Sequence, residues 1–251
     1  MSEIGKSVRL KEIFREDNRT LIVALDHELG EPLVKGLEDP LDVIRKVAKG
    51  GADAIITTLG AVRRFYRELP RGIGLILSTP SDPSSVRTAV NLGLHAVKNT
   101  FFGSLKEEKL GFIHELALEC AYYGMPLLAE IVPTDPKTGG FVYELSQIKA
   151  AARIAAEFGA DLVKTSYTGN SRTFREVVEA CPIPVVILGG VRMDNDKAVL
   201  ENVKDAIDAG AVGVAFGRNI FQYRDPTAMT RAIASIIHGN ADVEEAMKEL
   251  M

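Results

Sequence analysis

Eight short runs of β-branched and other apolar residues recur along the chain, and amphipathic stretches separate them. The runs predict strands at residues 21–26, 53–57, 74–78, 95–99, 126–132, 161–166, 184–189 and 212–216. Amphipathic stretches with the helical period include residues 41–48, 107–123, 144–158 and 173–180. Strands that alternate with helices in this way are typical of a parallel sheet.

Four of the predicted strands begin with a similar junction, which indicates an internal repeat. The junctions read GGADAII from Gly50, LGLHAVK from Leu92, FGADLVK from Phe158 and AGAVGVA from Ala209. Each places a glycine where a helix ends and a strand follows. Eight units in 251 residues average about 31 residues each, which is the size of a compact βα unit.

The repeat predicts an α/β fold, a single (β/α)8 TIM barrel that spans residues 1–251 as one domain. Residues 1–16 would form an N-terminal extension across the barrel bottom. Residues 241–251 would form a charged C-terminal helix at the surface or at an interface. A doubly wound open sheet is the alternative, but such sheets commonly carry GxGxxG after the first strand, where this chain reads DHELG.

Charge and composition argue against several classes of partner. The net charge is −4 and no basic run is present, so we expect no nucleic-acid partner. No apolar run approaches the roughly 20 residues that span a bilayer, and the N-terminus has no apolar signal-peptide core. Two separated cysteines fit a reducing, cytoplasmic setting. The four histidines lack metal-ligand spacing, so no metal and no cofactor is expected.

The ends of the predicted strands carry four charged residues that can share one barrel mouth. In such a barrel catalysis takes place at the C-terminal ends of the strands, and side chains alternate between the two faces of a strand. If the apolar partners face the helices, the inward residues are Asp26, Lys98, Glu130 and Lys164.

Two lysines beside two carboxylates suggest Schiff-base chemistry. A lysine amine attacks a ketone or an aldehyde only when it is neutral, and burial beside a second ammonium favours the neutral form. We therefore expect Lys164 to form an iminium beside Lys98. Asp26 or Glu130 would then transfer protons on the carbinolamine and on a substrate hydroxyl.

Each of these residues also has a structural interpretation. Lys98 and Lys164 can extend to solvent from a strand end. Asp26 can be a helix N-cap or a loop anchor. Glu130 can pair with a structural lysine or arginine. His27, beside Asp26, can serve either catalysis or packing. Because buried lysines are scarce unless they are used, the catalytic interpretation is favoured most for Lys164.

The segments after the last two strands predict a phosphate site. They read LGGVR, with Gly189, Gly190 and Arg192, and FGRNIF, with Gly217 and Arg218. Barrels of this type often bind phosphate with these two loops and a short helix N-terminus. Glycine lets backbone N–H groups approach the anion, and an arginine adds charge.

Several segments resemble the archaeal-type class I fructose-bisphosphate aldolase family. That family includes 2-amino-3,7-dideoxy-D-threo-hept-6-ulosonate synthase and the thiolase of autoinducer-2 breakdown. The similarity covers nearly the whole chain and is strongest in VALDHELG, GADLVKTSYTGN, CPIPVVILGG and GVAFGRNIFQ. The KTS segment is also similar to deoxyribose-phosphate aldolase.

The resemblance implies roles for residues and an assembly. It implies that Lys164 is the Schiff-base lysine and that Asp26 is an acid or base. It also implies phosphate binding by Gly189, Gly190, Gly217 and Arg218. It also implies a homo-oligomer built on pentamers, such as a pentameric ring or a decamer.

One position departs from the family pattern. The relatives carry a catalytic tyrosine at the end of the fifth strand, where this chain reads EIVPTDP and places Val132. Valine cannot transfer a proton. Glu130, two residues earlier on the same strand face, can replace the tyrosine, as a carboxylate does in other class I aldolases. If Glu130 does not replace the tyrosine, the reaction differs from simple fructose-bisphosphate cleavage.

Three functions follow from these observations. The first is a class I aldolase, an aldehyde-lyase acting on a phosphorylated sugar or keto compound in carbohydrate metabolism, with fructose 1,6-bisphosphate as the default substrate. The second keeps Lys164 in a transaldol-type heptulosonate synthase or a thiolase-like acyl transferase. The third is a barrel that binds sugar phosphates without catalysis.

Overall fold

The computed structural model describes residues 2–30, 34–80, 82–106 and 108–251. Eight parallel strands form a closed barrel in chain order, and the last strand pairs with the first. The strands are β1 (Thr20–Ala24), β2 (Ala54–Thr57), β3 (Gly74–Ser78), β4 (Ala96–Gly103), β5 (Leu127–Pro133), β6 (Leu162–Thr165), β7 (Val185–Leu188) and β8 (Gly213–Phe216). All eight predicted strands are present. The predicted (β/α)8 barrel is therefore confirmed, and the open-sheet alternative is wrong.

Helices alternate with the strands, and further helices precede β1 and follow β8. They are α1 (Ser2–Leu10), α2 (Pro40–Lys49), α3 (Leu59–Phe65), α4 (Ser84–Asn91), α5 (Phe112–Tyr123), α6 (Leu145–Glu157), α7 (Ser171–Ala180), α8 (Asp196–Asp208), α9 (Arg218–Phe221), α10 (Pro226–Gly239) and α11 (Val243–Met247). Several begin at a side-chain cap. Asn170 accepts hydrogen bonds from the N–H groups of Arg172 and Thr173 at the start of α7, which satisfies donors that the helix itself cannot.

Alternate residues of each strand form two apolar layers. On β1, Leu21 and Val23 pack outward against the helices, and Ile22 and Ala24 pack into the barrel interior. The other strands follow the same alternation. Ile13 joins the inner layer from below and is buried there. The interior is therefore a filled core rather than a channel, and a cavity opens above its C-terminal end.

The boundaries of several elements differ from those predicted, including the following three. β1 ends at Ala24 rather than Asp26, because the chain turns there into a 3₁₀ turn at His27–Leu29. β4 continues past Asn99 to Gly103, because it stays paired with β5 as far as Pro133. The predicted helix 107–123 begins at Phe112, after a 3₁₀ turn; Glu107 lies outside the described residues.

Both ends of the chain pack onto the barrel. From α1, Lys6 pairs with Asp161 at 2.9 Å, and Arg9 donates to the carbonyl of Gly124 at 2.9 Å. Asp161 and Gly124 both precede strands, so this helix covers the N-terminal end of the barrel. α11 packs against α8 and α10.

In the part of the chain that the structure describes, no helix is both long and apolar enough to cross a membrane.

Candidate active site

The four charged residues predicted for the mouth do meet at the C-terminal end of the barrel. Lys98 on β4, Glu130 on β5 and Lys164 on β6 each lie one step above the inner apolar layer, and Asp26 follows β1. Glu130 and Lys164 are direct partners in the β5–β6 register. All four are between 5% and 9% exposed. They form the floor of a cavity of about 630 Å³.

A continuous chain of ion pairs joins these side chains. The Lys98 ammonium donates to Asp26 Oδ2 at 2.9 Å and lies 2.9 Å from Glu130 Oε2. The other oxygen of that carboxylate, Glu130 Oε1, lies 2.8 Å from Lys164 Nζ. Thr100 donates its hydroxyl to Glu130 Oε2 at 2.9 Å. Glu130 is therefore the carboxylate shared by both lysines.

The charges fix the resting protonation of three of these groups. Burial would raise the pKa of Asp26, but Lys98 and Lys164 outweigh it and hold that pKa well below its ordinary value. Burial would likewise raise the pKa of Glu130, but Lys164 and Lys98 hold it below its ordinary value. Burial would lower the pKa of Lys98, but Glu130 and Asp26 raise it. The floor thus holds two carboxylates and a firmly charged Lys98.

Two structural interpretations of these residues are wrong. Asp26 precedes the 3₁₀ turn, but its side chain makes no cap hydrogen bond and points to Lys98 instead. Lys98 does not extend to solvent, since its ammonium is buried between two carboxylates. Buried ion pairs carry a desolvation cost that an apolar core would avoid. Their presence beneath an open cavity favours a chemical role.

Glycines form the wall of the cavity at the ends of β7 and β8. Gly189, Gly190, Gly217 and Arg218 all line the cavity. Gly217 cannot carry a side chain, because a Cβ there would lie 2.2 Å from the ring of His27. Gly190 has a φ of 64°, in the left-handed region.

Arg192 is placed differently from the other residues predicted to bind phosphate. It is exposed, donates to the carbonyl of Gln222, and is absent from the described residues that line the cavity. The loop after β7 turns its backbone, not this side chain, toward the cavity. The structure therefore does not bring Arg192 to the site.

Several lining residues were not singled out from the sequence. Ser78 lowers the pKa of Asp26, and Thr100 donates a hydrogen bond to Glu130. Three aromatic residues, Phe102, Phe141 and Tyr143, also line the cavity. Phe102 lies on the same strand face as Lys98. The alternation of side chains along β4 would have predicted this if the predicted strand had not ended at Asn99. Phe141 and Tyr143 lie on a loop with no periodic signal.

Val132 also lines the cavity and is buried. It pairs with Phe102 in the β4–β5 register. Apolar groups therefore occupy the place where the resemblance leads one to expect a tyrosine. Among the described residues, no group of three or more His, Cys, Asp and Glu side chains is arranged to hold a metal ion.

Comparison with known proteins agrees with this arrangement. The profile of the DeoC/LacD family aldolases matches residues 20–223. The chain is 36% identical over 262 residues to 2-amino-3,7-dideoxy-D-threo-hept-6-ulosonate synthase 1 of Archaeoglobus fulgidus, covering 98% of this chain and 95% of that protein. It is 34% identical over 260 residues to the synthase of the same name from Halobacterium salinarum, covering 98% and 97%.

A solved structure has the same architecture. An archaeal fructose-1,6-bisphosphate aldolase, with its catalytic lysine covalently bound to the carbinolamine intermediate of its substrate, superposes with a TM-score of 0.80. The two chains are 26% identical, and the match covers 92% of this chain and 99% of that one. The family expected from the sequence is thus confirmed: this chain belongs to the DeoC/LacD family, a family of class I aldolases.

Proposed function

We propose that this protein is a class I aldolase, an aldehyde-lyase that forms or cleaves a C–C bond in a phosphorylated ketose through a Schiff base on Lys164. The observation that carries the proposal is the 2.8 Å contact between Lys164 Nζ and Glu130 Oε1 on the floor of a cavity of about 630 Å³. A buried lysine beside an ionised carboxylate has both a route to lose its proton and a space in which to meet a carbonyl.

The first half of the reaction uses Lys164 and Glu130. Glu130 Oε1 takes a proton from the ammonium, and the neutral amine attacks the C2 carbonyl of the ketose to give a carbinolamine. The same carboxyl group then returns the proton to the carbinolamine hydroxyl, which leaves as water and gives the iminium. Lys98 stays charged throughout and keeps the carboxylates in place.

The second half breaks the C3–C4 bond. A carboxylate removes the proton of the C4 hydroxyl, the C3–C4 electron pair moves to the iminium, and the aldehyde product forms beside an enamine. Asp26 is suited to this step, because its carboxylate is ionised and lies across Lys98 from Glu130. Protonation of the enamine at C3 and hydrolysis then release the ketone and restore the amine.

Phosphate binding would hold the ketone half in place. Gly189, Gly190 and Gly217 expose backbone at the cavity wall, and Arg218 adds a positive charge there. β7 and β8 follow β6 around the barrel, so this wall adjoins Lys164. A phosphate at C1 would therefore place C2 near the amine.

The heptulosonate synthase reaction is the second candidate. The identities of 36% and 34% to proteins of that name favour it, whereas the fructose-bisphosphate aldolase structure is 26% identical. Both reactions would use the same lysine. The cytoplasmic location remains a prediction from the cysteines. A place in carbohydrate metabolism, with glycolysis or gluconeogenesis as the pathway, and a homo-oligomer remain predictions from the resemblance.

Turnover measurements test the proposal. Purified protein is assayed for release of triose phosphate from fructose 1,6-bisphosphate, and separately for products from donor and acceptor pairs suited to the synthase. Activity in either assay that disappears in Lys164→Arg supports the proposal, since arginine keeps the charge but cannot form the iminium. Turnover that survives this substitution would overturn it.

A further inference from the structure

An aromatic wall faces the cavity on the side opposite the glycines. It consists of Phe102 at the end of β4 with Phe141 and Tyr143 from the loop after β5. Phe102 and Phe141 stack with their ring centroids 5.8 Å apart. The three residues are 59%, 53% and 57% exposed, although each is large and apolar or amphipathic. Clustered apolar exposure at the rim of a cavity marks a place where a ligand is covered.

The register of β4 places this wall above the reacting groups. Lys98, Thr100 and Phe102 follow one another on the inward face of one strand, so the Cα of Phe102 is roughly 13 Å along the strand from the Cα of Lys98. Val132 pairs with Phe102 on the neighbouring strand. A ketose bound to Lys164 with its phosphate at the glycine wall would extend its aldehyde-forming half toward these rings.

Among the described residues that line the cavity, the lysines and the arginine lie on the floor and at the glycine wall, not at the aromatic wall. On the floor, Lys98 and Lys164 are matched by Asp26 and Glu130. Arg218 is the one further lysine or arginine among the described residues that line the cavity, and it lies at the glycine wall.

The aromatic wall is a poor binding surface for a phosphate. The negative face of an aromatic ring repels a phosphate dianion, whereas it packs well against sugar C–H groups.

We propose that the preferred substrate is a monophosphorylated ketose whose single phosphate lies on the ketone-derived half, and whose aldehyde-forming half is uncharged and packs against Phe102, Phe141 and Tyr143. The inference rests on the proposed aldolase function and narrows its substrate class. It also gives Val132 a role, as part of an apolar surface that a tyrosine hydroxyl would interrupt.

Two sugars that differ only in the distal phosphate test this inference. The kcat/KM for cleavage is measured with fructose 1-phosphate and with fructose 1,6-bisphosphate. We expect the monophosphate to be preferred by about tenfold or more, the effect of leaving one charged group without a partner. Equal or better cleavage of the bisphosphate would overturn the inference and leave the proposed function standing. Absence of Lys164-dependent turnover with every substrate would overturn both.

Variants of the wall show whether the rings cause the preference. Phe141→Lys places a cation in the wall and should narrow the ratio between the two sugars several-fold, whereas Phe141→Leu should keep the preference for the monophosphate. Leu118→Lys, at an exposed position on the outer helix α5, is the matched charge control and should leave the ratio unchanged. Tyr143→Phe should also keep it, since the ring rather than the hydroxyl is required. If Phe141→Lys left the ratio of kcat/KM for the two sugars unchanged, the aromatic wall would not be the surface that contacts the distal half of the substrate.

Discussion

The two ends of the barrel each contain a cluster of charged side chains, but the clusters are built differently. At the bottom, Asp53 accepts hydrogen bonds from Arg15, from the backbone N–H of Leu21 at 2.6 Å, and from His238 Nε2 at 2.9 Å. The other ring nitrogen of His238 lies 2.8 Å from Asp17. This cluster ties the N-terminal segment, β1 and α10 together, and its contacts include the main chain.

At the mouth, the contacts run from side chain to side chain. Lys98 joins Asp26 to Glu130, and Glu130 joins Lys98 to Lys164, beneath an open cavity. None of these three ion pairs involves a main-chain atom. Charges that hold backbone segments in place stabilise a fold, whereas charges that meet only each other beside a cavity are free to exchange protons with a substrate.

Removal of the proposed nucleophile should have the largest effect on activity. Lys164→Ala should reduce kcat by roughly 10⁴-fold or more, because no iminium can form. The fold should persist, since Glu130 keeps its bonds to Lys98 and Thr100. Steady-state kinetics and circular dichroism measure the two effects. A folded variant with more than a tenth of the wild-type kcat would show that Lys164 is not the nucleophile.

One neutral substitution at each end should separate catalysis from stability. Glu130→Gln should lower kcat by about 10²- to 10⁴-fold, because the group that exchanges protons with Lys164 is lost. Asp53→Asn should lower the free energy of unfolding by about 2–4 kcal/mol and leave kcat of the folded protein nearly unchanged. Urea unfolding and initial rates measure both. If Glu130→Gln and Asp53→Asn lowered kcat to the same extent and had the same free energy of unfolding, the two clusters would not differ in function.

The two arginines of the predicted phosphate site should differ in effect. Arg218→Gln should raise KM for a phosphorylated ketose by about 10- to 100-fold, through loss of a charge-assisted hydrogen bond. Arg192→Gln should change KM by less than about threefold, because that side chain is bonded to Gln222 outside the cavity. Comparable losses in both variants would place Arg192 in the site.

The smallest effect should come from titration of the bottom cluster. Burial would lower the pKa of His238, but its hydrogen bonds to Asp53 and Asp17 outweigh burial and raise it. The protonated form therefore stabilises the fold below about pH 6.5. That contribution is lost as the pH rises through the raised value. The Tm should fall less steeply above pH 6.5 in His238→Gln than in the wild type, and identical slopes would contradict this.

The sequence predicted the strands and the floor of the site because both depend on short-range alternation. Once eight strands are placed, the inward faces of β4, β5 and β6 follow, and they carry Lys98, Glu130 and Lys164 to one layer. The same reasoning applied to a longer β4 would have reached Phe102. The positions of these residues can be predicted without knowing the conformation of the loops.

Other residues were misplaced or missed because their positions depend on loops and on distant pairing. Arg192 and Phe141 lie on connections where no periodic pattern determines the direction of a side chain. The cluster of Asp53 and His238 joins residues far apart in the chain, and only the closed barrel with its C-terminal helices brings them together. Such contacts follow from the tertiary structure rather than from local sequence.

Borohydride trapping tests the central claim most directly. The protein is incubated with dihydroxyacetone phosphate, reduced with borohydride, digested and analysed by mass spectrometry. The account predicts a reduced adduct on the peptide that contains Lys164, and none in Lys164→Arg. An adduct on Lys98 instead, or no adduct on the folded protein with this donor or with any other carbonyl donor it turns over, would contradict the assignment of Lys164 as the Schiff-base lysine.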